Sequence, residues 1–79
     1  MWLKILSPDG MQYDGEAKSF NVMTKSGQIT LLDGHRPIVT ILAKGLAKAV
    51  DAGGEEKIFP HSAGFLEMAQ NNALSVFIN

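Results

Sequence analysis

The sequence predicts an all-β fold, an antiparallel sandwich or barrel. Turn signals recur roughly every ten residues, and the short runs between them alternate apolar and polar side chains. Length and composition agree with this. The chain has 79 residues, 46% hydrophobic and 19% charged, which is too apolar for a disordered segment and too short for more than one core. The expected organisation is a single domain over residues 1–79. A domain this small leaves much of its surface uncovered and gains from a permanent partner.

The turn signals come in order as Pro8-Asp9-Gly10, Asp14-Gly15, Lys25-Ser26-Gly27, Asp33-Gly34, Lys44-Gly45, Gly53-Gly54 and Asn71-Asn72. Gly and Asn tolerate the positive φ of tight turns, while Pro and Asp suit their first positions. Between them, Phe20-Asn21-Val22 and Ile29-Thr30-Leu31 each place their apolar members on one face. Leu74, Val76 and Ile78 do the same near the end of the chain. The segment from Ile38 to Val50 resists assignment. Ile38, Ile41, Leu42, Leu46 and Val50 recur at helical spacing behind Pro37, which suits a helix start. Gly45 at the centre and the β-branched run Ile38-Val39-Thr40-Ile41 favour extended chain instead. A helix and two strands both remain open on pattern alone.

No constellation for chemistry emerges. The two histidines, His35 and His61, lie 26 positions apart with no cysteine or carboxylate at ligand spacing, so they read as surface or turn residues rather than metal ligands. Glu55-Glu56 beside Gly53-Gly54 reads as a solvated hairpin tip, because adjacent strand residues point to opposite faces and do not converge. No Gly-Lys-Ser/Thr follows a glycine-rich loop, and no serine stands in a nucleophile elbow. Neither a metal nor a cofactor is expected. A formal net charge of −1 provides no field for nucleic acid or an anionic membrane. The aromatic residues are scattered singly, without a basic cluster, and most are expected in the core. The chain lacks cysteine, which suits a reducing compartment. The uncharged run Pro37 to Ala43 is far too short to cross a bilayer.

The densest group of unusual residues runs from Ser26 to Thr40, through Asp33-Gly34-His35-Arg36-Pro37-Ile38-Val39-Thr40. A rigid connection explains Gly34 and Pro37 but neither His35 nor Arg36, and exposed residues on a rigid loop are where binding surfaces form. Here the chain resembles the epsilon subunit of the rotary F-type ATP synthase, whose members carry a Gly-acidic-hydrophobic strand followed by Pro-Gly-His-Ala-Pro-Leu-Leu-Thr. Three further stretches are similar, in the same order. They are Leu3-Lys4-Ile5-Leu6-Ser7-Pro8-Asp9-Gly10, Tyr13-Asp14-Gly15-Glu16 and Ser62-Ala63-Gly64-Phe65-Leu66-Glu67. The resemblance spans essentially the whole chain.

The resemblance implies a flattened antiparallel β-sandwich of two sheets, with Ile38 to Leu42 and Leu46 to Val50 as two strands turning at Lys44-Gly45. It implies a non-catalytic central-stalk subunit that links the gamma subunit to the c ring and couples ion translocation to ATP synthesis or hydrolysis. Such a subunit belongs to the cytoplasmic face of a bacterial inner membrane, held there through the complex without inserting. Carried over by position, Ser26, Gly27 and Gln28 are expected at the polar loops of the c ring. Ser7, His35, Arg36 and Thr40 are expected near gamma. Gln28 stands where the family often has a carboxylate, and Arg36 where it has a small residue. Most members continue into a C-terminal helical hairpin that can inhibit ATP hydrolysis. Nothing in these residues corresponds to it, so the expected role is assembly and coupling without that inhibitory arm. The alternative is a free-standing β-sandwich module that binds some other protein.

Overall fold

The eight strands of the computed structural model, which describes Met1–Asn79, are β1 (Trp2–Ser7), β2 (Gly10–Thr24), β3 (Gly27–Leu32), β4 (Ile38–Leu42), β5 (Gly45–Asp51), β6 (Glu56–His61), β7 (Gly64–Met68) and β8 (Ala73–Ile78). One layer of the sandwich follows the order β1-β8-β7-β4, and the other is β2-β5-β6 with β3 on the far side of β2. The long β2 belongs to both. Its first half pairs with β1 (Ile5 opposite Tyr13), and its second half lies between β3 and β5 (Phe20 opposite Leu31 and Ala49). Its far end meets β4 at Thr24 and Leu42, which closes the two layers into a ring.

A bulge lets β2 change layers. The pairing with β5 slips between Ala17 and Ser19, leaving Lys18 as an extra residue. An extra residue flips the strand's faces. Before the bulge Tyr13, Gly15 and Ala17 turn inward; after it Phe20, Val22 and Thr24 do. The expected turn at Asp14-Gly15 is therefore absent, and those residues continue β2. The Tyr13 ring lies beside Gly15, 3.8 Å from where a Cβ would stand, and the Tyr13 hydroxyl donates to the Glu16 carbonyl at 2.6 Å.

The ambiguous segment forms two strands, β4 and β5, as the resemblance implied. They are not a hairpin, since β4 pairs with β7 and β5 with β6. The connection at Ala43-Lys44 passes between layers. Ile41 and Leu46, which complete the helical pattern, point outward, while Ala47 and Ala49 carry the burial.

Leu3, Ile5, Leu66, Leu74 and Val76 from one layer meet Phe20, Val22, Leu31, Ala47 and Ala49 from the other, all fully buried. Each large side chain so buried contributes about 1.5–3 kcal/mol. The pairs are antiparallel except β1 with β8, which run parallel (Leu3 opposite Leu74, Ile5 opposite Val76) and set the first and last strands side by side. Gly64 opens β7 at φ 152°, where a Cβ would lie 2.1 Å from the Phe77 carbonyl oxygen. Only glycine fits there.

Candidate functional site

Strand direction sorts the connections to two ends of the molecule. One end carries the turns at Pro8-Asp9, Lys25-Ser26, Ala43-Lys44 and Ser62-Ala63. The other carries the loop 33–37, the tip 52–55 and the turn at Asn71-Asn72.

At the second end, His35 and Arg36 are held outward by a pinned loop. Asp33 accepts from the Met1 amino group and from the Asn72 side chain. The Gly34 amide donates to the Asn72 side-chain oxygen at 2.9 Å, and the His35 amide to the Leu32 carbonyl at 3.1 Å. Asn72 reaches the loop from a left-handed backbone at φ 62°. Bonding to the amino group, with help from Asn72, holds the Asp33 carboxyl below its ordinary range; the same contact raises the amine. His35 and Arg36 are exposed, and the His35 Nδ1 lies 2.7 Å from the Arg36 carbonyl oxygen.

At the first end, buried Thr24 holds the turn. Its hydroxyl donates to the Gly27 carbonyl at 2.6 Å and accepts the Ser26 amide at 3.1 Å. Gln28 is exposed; its amide donates to Asn21 at 2.6 Å, and Asn21 in turn donates to Thr30 at 2.7 Å. One donor of Gln28 is thus used within the domain, while its carbonyl oxygen makes no bond to the rest of the chain.

The structure does not gather all seven expected residues. Ser26 ends the turn before β3 and Gly27 and Gln28 begin it, while His35 and Arg36 follow its end, so β3 separates the two groups by its whole length. Ser7 lies at the end of Gln28 but on the β6 flank, beside an open cleft with Ile58 and Pro60. Its hydroxyl accepts from the Asp9 amide and the Gln12 side chain, capping the β1–β2 turn. Thr40 is half-buried on the inward side of β4.

Sequence reasoning missed an apolar row on the outer face. Ile41, Phe65, Phe77, Leu6 and Met11 stand opposite one another across five strands. Phe65 and Phe77 stack with ring centroids 4.8 Å apart. The expectation that most aromatics lie in the core is corrected here. Phe20 is buried and Tyr13 and Phe59 partly so, but Trp2, Phe65 and Phe77 are 46%, 45% and 38% exposed. Phe65 and Phe77 alternate with buried Leu66, Val76 and Ile78, so the pleat turns them out. The signal lay in that alternation, but the row itself depends on register between distant strands. The expectation for His61 also fails. It is 5% exposed at the end of β6, with neither ring nitrogen hydrogen-bonded. Burial lowers its pKa; the nearby Ala43 backbone offsets this in part without reaching hydrogen-bond geometry.

Residues 1–78 match the family of the ATP synthase delta/epsilon chain, beta-sandwich domain. The chain belongs to that family. Among solved structures, this delta/epsilon domain is similar to a chain in the cryo-EM structure of Euglena gracilis mitochondrial ATP synthase, OSCP/F1/c-ring in rotational state 1. The TM-score is 0.91 at 22% identity, over 99% of this chain and 49% of that one. It is also similar to a chain in the cryo-EM structure of Tetrahymena thermophila mitochondrial ATP synthase, central stalk/c-ring. There the TM-score is 0.82 at 13% identity, over 99% of this chain and 62% of that one. At such identities the likeness establishes the fold. The domain spans about half of the first chain and under two thirds of the second.

Proposed function

We propose that this domain is a central-stalk component of a rotary F-type ATP synthase. In that role it joins the gamma subunit to the c ring and takes no part in catalysis itself. The family match over residues 1–78 carries the reading. The two similar structures, both described as ATP synthase assemblies containing the c ring, support it. An apolar row of Ile41, Phe65, Phe77 and Met11, exposed in the isolated domain with half-buried Leu6 among them, supports a role in contact with other protein. We place Ser26, Gly27 and Gln28 against the polar c-ring loops, with the free side-chain carbonyl oxygen of Gln28 accepting a hydrogen bond there. His35 and Arg36 meet gamma from the opposite end. Thr40 contributes from the β4 rim, and Ser7 makes a separate gamma contact on the β6 flank. The assembly lies on the cytoplasmic face of a bacterial inner membrane; no helix of the chain is long and apolar enough to cross one.

The reading is tested by mixing the purified domain with purified gamma, with and without detergent-solubilised c ring, and separating the products by size. A ternary complex containing all three is expected. Elution of the domain alone in both mixtures counts against the stalk assignment and favours a module with some other partner.

A further inference from the structure

Four strand edges have no hydrogen-bonded neighbour: β3, β6, the first half of β2 and most of β4. Soluble proteins guard such edges with charge, proline or short length, because unpaired amides and carbonyls invite another strand. Three of the four are guarded. β6 carries Glu56, Lys57 and Pro60; the open part of β2 carries Asp14 and Glu16; β4 is cut short between Pro37 and the closure at Leu42. β3 has none of these. From Gly27 to Leu32 it holds no charge and no proline, it pairs only with β2, and Leu32 is 55% exposed.

Each end of that edge carries a free cation, since Asp33, which directly follows β3, is paired with the Met1 amino group. Lys25 in the turn before β3 and Arg36 in the loop after it are both exposed, and neither pairs with a carboxylate. A strand laid along β3 in the plane of the sheet runs from one cation to the other and leaves the outward side chain of Gln28 free to face the c ring. We propose that the outer edge of β3 accepts an extended strand of the gamma subunit, uncharged in its middle and with a carboxylate near each end. Main-chain hydrogen bonds supply the affinity, and the two cations set its register. This rests on the stalk assignment and adds the mode of binding.

The test is amide hydrogen exchange on the domain, free and in complex with purified gamma. The amides of Gly27–Leu32 that face away from β2 are expected to slow at least ~10-fold in the complex. Joint K25E and R36E substitutions are expected to weaken the complex about tenfold, the scale of two exposed ion pairs turned repulsive, while K57E on the β6 edge leaves it unchanged. A complex that leaves the β3 amides unprotected overturns the edge proposal but spares the stalk assignment. Failure to form any complex overturns both. Protection that appears in the domain alone and grows with its concentration makes a second copy the occupant, which also overturns the proposal.

Discussion

His61 is the residue whose environment departs most from what its chemistry prefers. Neither ring nitrogen has a partner, and burial keeps the ring neutral in the folded state. In the unfolded chain it titrates near its ordinary 6.5. As pH falls below that value the unfolded state takes up a proton that the folded state refuses, so stability declines. The decline ends once pH passes below the depressed folded value. Each unit of depression is worth about 1.4 kcal/mol. Urea midpoints at pH 7 and pH 5 are expected to differ less in H61L than in the wild type; equal differences would contradict the buried, unpaired ring. His35 shows the opposite case, exposed at the tip of a pinned loop. Replacing His35 and Arg36 together by Asp is expected to weaken association with gamma roughly tenfold or more while leaving the thermal midpoint nearly unchanged. Unaltered affinity removes this loop from the gamma contact.

Among the elements, β7 depends on Gly64. A methyl group there meets the Phe77 carbonyl at 2.1 Å in a backbone region that side chains avoid. Gly64→Ala is expected to cost roughly 3 kcal/mol or more, read as a lowered urea midpoint; a cost under about 1 kcal/mol would show that β7 and β8 can part without penalty. Leu66→Ala, two positions on and fully buried, is expected to cost about 2–5 kcal/mol. The elements also show how far pattern carries. The strands around Phe20, Ile29 and Leu74 were legible because each alternates on one face without interruption. Asp14-Gly15 reads as a turn in sequence, yet there the two residues continue a strand, paired with Lys4 and Leu3 of β1. The bulge at Lys18 left no sign, because its cause is pairing with β5. The helical spacing over residues 38–50 mixed side chains from opposite faces of two strands.

For the whole molecule, the decisive property is that the two main groups of proposed contacts, Ser26 to Gln28 and His35 with Arg36, lie at opposite ends, with Ser7 at the first. The residues of each group were expected one by one from the resemblance around the Gly-His loop. Their separation was not, because it follows from β3 running the length of the sandwich between them. Asn72 gave no sequence signal beyond a turn, since its role of pinning Asp33 and Gly34 comes from a segment far along the chain. A body with contact groups at both ends suits a spacer between two parts that must turn together. The most direct test is a cysteine cross-link from Gln28→Cys in an assembled synthase whose c-ring loops each carry one engineered cysteine. The expected result is a covalent adduct with the c subunit, with ATP turnover continuing, because both linked parts belong to the rotor. An adduct that halts turnover, or none beyond the level of a cysteine placed at Glu55 on the opposite end, would contradict the account.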